Sequence, residues 1–73
     1  MTDGGLRVLR ALADGEARTA SEIAPLARMC ERKTRGALSG ALVGGLVEEE
    51  ISDARRFRIT EAGLEALAEC EGL

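Results

Sequence analysis

The chain has 73 residues, 45% of them hydrophobic and 32% charged, with a formal net charge of −3. That is the make-up of a small globular domain near the lower limit of a self-supporting core, not of a disordered segment. The longest uncharged run, Gly36 to Val47, has twelve residues including four glycines, which excludes a helix across a bilayer.

Phe57 is the single aromatic residue, so the core has to be built from Leu, Ile, Val and Ala. A homodimer or a bound partner would enlarge so thin a core. Met1-Thr2-Asp3-Gly4-Gly5 has neither the basic nor the apolar region of an export signal, and a cytoplasmic location is expected. Counting leaves Cys30 and Cys70 open to a disulfide or to two reduced thiols, and the missing export signal favours the thiols. With no His in the chain, two thiolates make a poor zinc site, so no metal and no cofactor is expected.

Leu6, Leu9 and Ala13, with Val8 and Leu12 beside them, recur at helical spacing and predict a first helix over 4–14. Thr2 or Asp3 can cap its start, and Gly15 stands where a C-cap glycine would. Thr19-Ala20-Ser21-Glu22 has the form of a capping box ahead of Ile23, Leu26 and Ala27. Ser21 is a second candidate cap and suits Pro25 better, because the missing N–H then removes at most one intrahelical bond. This second helix ends near Arg28 or Met29.

Glu31 to Val43 reads as the third helix, with Thr34, Ala37, Leu38, Ala41 and Leu42 lining one face. Met29-Cys30-Glu31 matches the tight turn of a helix-turn-helix. Gly44-Gly45 stops the helix by supplying residues that accept positive φ. Val47 and Ile51 alternate with Glu48 and Glu50, and Phe57 and Ile59 with Arg56 and Arg58. With the polar turn Ser52-Asp53-Ala54 between them, the two runs predict a hairpin in which acids face arginines across the ladder. Thr60 caps a last helix over 61–70, with Leu64, Leu67 and Ala68 inward. The fold class is α+β, mostly helical: a winged helix-turn-helix of three helices, a two-stranded wing and a C-terminal helix, in a single domain over 1–73.

In that order of elements the chain resembles winged-helix transcriptional regulators of the multiple-antibiotic-resistance and arsenic-repressor (MarR/ArsR) type. The resembling residues are Ser21-Glu22-Ile23-Ala24, Gly45-Leu46-Val47-Glu48 and Arg58-Ile59-Thr60-Glu61-Ala62-Gly63. The resemblance implies a bacterial, archaeal or phage regulator that puts its third helix in the major groove of double-stranded DNA. The wing would lie against the neighbouring backbone or minor groove. Carried over, the candidate DNA-binding residues are Arg28, Arg32, Lys33, Arg35 and Ser39 on or beside that helix, and Arg55, Arg56 and Arg58 on the wing. Family members usually add helices for dimerisation or sensing, for which these 73 residues hold no pattern.

Net acidity is the wrong sign for phosphate binding, but distribution matters more than the sum. Seven of the ten cations fall in residues 28–35 and 55–58, whereas acids cluster at Glu48–Glu50 and along Glu61, Glu65, Glu69 and Glu71. The last helix is therefore expected to face away from a duplex. An arginine near the start of the third helix can be bidentate to guanine, while wing arginines position phosphates. The alternative is a protein-interaction module, such as a phage-type inhibitor of a nucleic-acid-handling complex. Its docking surface would be the stripe Gly36, Gly40 and Gly44, since interior glycines cost a helix ~1 kcal/mol each and a close-packed partner would be a reason for them. No His, Tyr or Trp is present, and no Ser or Thr has a base in pattern, so no catalytic residue and no enzyme activity is expected.

Overall fold

The computed structural model describes residues 2–71. Met1, Gly72 and Leu73, which the sequence reading includes in its domain, lie outside the described residues. Helix α1 (Asp3–Ala11) begins as expected, the Thr2 hydroxyl accepting the Gly5 N–H at 3.1 Å. It buries Val8 and Leu9, and Leu12 just beyond it is buried too. It ends three residues short of the predicted Asp14, and Ala13 is exposed and outside the core. The Asp14 carboxylate accepts the Glu16 N–H at 3.1 Å and both terminal nitrogens of Arg18 at 2.8 Å, an arrangement that competes with further helix. Gly15, at φ +85°, closes that turn and does not cap the helix directly.

Arg18–Thr19 forms a two-residue strand, β1, which alternation could not reveal at that length. Thr19 then caps helix α2 (Ala20–Ala27) through a reciprocal box, the Glu22 N–H donating to its hydroxyl and its own N–H to the Glu22 carboxylate. Strand pairing holds Thr19 extended, so the cap falls there and not at Ser21, and Pro25 lies inside the helix. The Ser21 hydroxyl instead donates to Glu31 at 3.1 Å. Ile23, Ala24 and Ala27 turn inward, whereas Leu26, which shares the helical spacing of Ile23 and Ala27, is 56% exposed. Arg28 ends the helix in the left-handed region at φ 56°.

Helix α3 (Glu31–Val43) has the predicted bounds, with Thr34, Leu38 and Ala41 buried. The buried Thr34 hydroxyl donates to the Cys30 carbonyl at 2.9 Å, which ties the helix start down at no cost in unmet hydrogen bonds. Of the two following glycines only Gly45 has positive φ (74°), while Gly44 stays helical.

Strands β2 (Val47–Ile51) and β3 (Arg55–Ile59) pair antiparallel in the predicted register, Glu48 opposite Arg58 and Glu50 opposite Arg56. β1 adds on the far side of β3, giving a three-stranded sheet of order β1-β3-β2 where two strands were expected. Val47, Phe57 and Ile59 join the core, but Ile51 is 71% exposed because the hairpin tip projects beyond it.

Helix α4 (Glu61–Glu71) starts at Thr60, whose hydroxyl accepts the Gly63 N–H and donates to the Gly45 carbonyl. Gly63 and Leu67 face inward, whereas Leu64, at 45% exposure, and Ala68 do not. The close approach of Gly63 sets this rotation. A Cβ there would lie 2.7 Å from Ile59 Cγ1 and would overlap the Leu46 carbonyl oxygen. One core unites all four helices with β2 and β3.

Candidate nucleic-acid interface

The sequence-selected cations divide into two groups. Arg28, Arg32 and Lys33 surround the start of α3. None of the three is in an ion pair among the described residues. The left-handed turn at Arg28 leads directly into that start, and the buried Thr34 and Leu38 fix which way its first turn faces. Cys30, the N-cap, makes no side-chain hydrogen bond to the first turn, unlike the threonines that cap α1, α2 and α4. The first N–H groups of α3 are thus left to an outside acceptor. Arg35, one turn on, is held by Glu31.

The second group is on the wing, and each of its arginines has an acid. Arg55 pairs with Glu49 while its guanidinium lies 5.0 Å from the Phe57 ring centroid. Arg56 pairs with Asp53 at 2.6 Å, and Arg58 lies between Glu50 at 3.5 Å and Glu48 at 4.0 Å. The cross-strand attraction expected for Glu48 and Arg58 is present; Arg56, however, takes the turn acid Asp53 in place of Glu50 opposite it. The Arg56 guanidinium, with help from the Ser52 hydroxyl, holds the Asp53 carboxyl below its usual range. Asp53 three residues before Arg56 was the available sign of this pairing, since a turn brings i and i+3 together.

Ser39 and Arg35 line a cleft of about 330 Å³ between α3, the start of α2 and the wing, together with Glu31, Ser21 and Arg55. The neighbouring face of α3 carries Gly36 and Gly40. An added Cβ at either would meet nothing within 4 Å, and both border a shallow trough with Gly5, Ala37 and Leu46. Gly44 does not join that open stripe, lying against Gly40 and Leu46 instead. Cys30 and Cys70 are free, exposed thiols. No helix among the described residues is long and apolar enough to cross a membrane.

Three-helix packing with a helix-turn-helix and a wing defines this chain as a winged-helix domain. Solved structures with the same architecture include MarR family transcriptional regulators. One from Silicibacter pomeroyi superposes with a TM-score of 0.92 at 22% identity, over 99% of this chain and 51% of that one. A second from Silicibacter pomeroyi gives 0.89 at 27% identity, over 96% and 48%. BpsR of Bordetella bronchiseptica, whose DNA binding is regulated by 6-hydroxynicotinic acid, gives 0.90 at 18% identity, over 99% and 53%. The chain thus has the MarR-type winged-helix fold and spans about half the length of these structures. No protein-family model matches the sequence, and no curated protein matches it significantly.

Proposed function

We propose that residues 1–73 form a DNA-binding unit of a cytoplasmic, non-enzymatic transcriptional regulator, with the start of α3 in the major groove and the wing beside the backbone. The observation that carries this reading is the set of unpaired cations, Arg28, Arg32 and Lys33, around the uncapped start of α3. Helix N-termini and side-chain cations both favour phosphate, and an arginine at such a position reaches guanine O6 and N7. A homodimer would present two such helices to one duplex, the usual arrangement for helix-turn-helix readers. The acidic α4 would point away from the DNA.

Beyond its first turn, α3 offers a groove only Arg35, which Glu31 already holds, Ser39, two glycines and the 90% exposed Val43. Base reading is therefore confined to the first turn. The open space above Gly36 and Gly40 favours one second reading, a protein-docking helix. Fluorescence anisotropy against a labelled random-sequence duplex at low salt separates the two. Binding that falls on Arg32→Ala and Lys33→Ala supports the first. A folded protein that binds no duplex, and loses a captured partner on Gly40→Gln, supports the second.

A further inference from the structure

We propose that Glu48, Glu49 and Glu50 on β2 are affinity-setting residues that keep Arg55 and Arg58 of the wing from engaging phosphate, as Asp53 does for Arg56, leaving attraction to DNA to the three cations at the start of α3. The inference rests on the DNA-binding reading and concerns how its two contact elements share the work.

Residues 47–59 hold four acids against three arginines, a local net charge of −1. The pairing is complete on the basic side: Arg55 with Glu49, Arg56 with Asp53, and Arg58 between Glu48 and Glu50. Register sets Glu48 directly opposite Arg58, while Arg55 reaches Glu49 on the diagonal and Arg56 takes Asp53 from the turn. A phosphate approaching any of these arginines meets a carboxylate already beside it. Those charges lie well within the ~8 Å over which salt at physiological strength screens, so attraction and repulsion largely cancel.

Each exposed pair is worth little as stability, about 0–1 kcal/mol, so the glutamates are not needed to hold the hairpin. Phe57 and Ile59 do that from the buried face. Glutamate on this strand is thus available as a means of limiting how tightly the domain holds any duplex. Non-specific affinity, which comes almost wholly from phosphate contacts, is the part it suppresses.

The test is anisotropy against random-sequence duplex over a range of salt, comparing wild type with the triple variant E48Q/E49Q/E50Q. The variant E48Q/E50Q is run beside it, since it leaves the Glu49–Arg55 pair in place. Circular dichroism confirms the fold of each. Wild type should show a log-log salt slope of about −2.7, the value for three phosphate contacts. The triple variant should bind at least ~10-fold more tightly at moderate salt and approach a slope of about −4.5, as Arg55 and Arg58 come into play while Arg56 stays with Asp53. E48Q/E50Q should move the same way by a smaller amount. Equal affinities and slopes for all three proteins would overturn the inference and leave the DNA-binding reading standing. Failure of every folded variant to bind would remove both.

Discussion

The start of α3 and the wing carry similar numbers of cations but handle them in opposite ways. At the helix start the sequence spaces Arg28, Arg32 and Lys33 with only Glu31 among them, and Glu31 is taken up by Arg35 and Ser21. On the wing the hairpin gives every arginine an acid, Arg55 and Arg58 from β2 and Arg56 from the turn. The lesson is that a tally of basic residues overstates an electrostatic footprint wherever secondary structure sets opposite charges side by side. The two regions also differ in anchoring. The helix start is held by the buried Thr34 and Leu38, the wing by Phe57, Val47 and Ile59 at its base.

The largest expected effect comes from cutting the wing loose. Phe57→Ala removes the one buried aromatic and should cost about 3–5 kcal/mol, enough to unfold most of a domain this small. A denaturant melt measures it, and a midpoint close to the parent's would mean the wing is held by something other than Phe57. Gly63→Ala should come next, at about 3 kcal/mol, because its Cβ has to displace the Leu46 carbonyl, which also accepts the Thr60 N–H. The same melt reports it.

On the helix side, Arg32→Ala should lower affinity for a preferred duplex by about 1–3 kcal/mol, concentrated at one base position. Arg58→Ala should change affinity much less, and equal losses would erase the distinction between the two regions. A smaller effect of opposite sign is expected at Gly36 and Gly40. Alanine at either should stabilise the protein by about 0.5–1 kcal/mol, since the helix gains propensity and nothing is displaced.

The smallest effect is the acid response. Asp14 is held down from 3.8 to about 2, chiefly by its bond to Arg18 and then by the Glu16 N–H. Because the folded value lies below the unfolded one, its contribution is complete above pH 3.8 and lost as pH falls towards 2. The thermal-melt difference between parent and Asp14→Asn should therefore be present at neutral pH and close towards pH 2. A constant difference would mean that Arg18 steadies β1, and through it Phe57 opposite, without help from that charge.

Much of this architecture is written in local chemistry. Helical spacing, the Thr19 and Thr60 caps and the Ser52-Asp53-Ala54 turn act over a few residues, so the third helix and the hairpin register can be read directly. So can the positions of the candidate cations along the chain. What failed to show in the sequence depends on distant partners. Strand β1 exists because β3 offers it an edge, and that pairing decided between the two caps open to α2, Thr19 over Ser21. Leu26 and Leu64 have the spacing of core residues, but α1 and the Gly63 contact fix how α2 and α4 are rotated.

The sequence by itself therefore determined the order of the helices and the hairpin, the hairpin register and where the candidate cations fall along the chain, because capping, periodicity and turn chemistry are short-range. Which of those cations are free of an ion pair among the described residues was decided only by the tertiary structure. Ion pairing depends on distance in space, and β2 brings Glu48–Glu50 to the wing arginines while Arg28, Arg32 and Lys33 are left facing solvent.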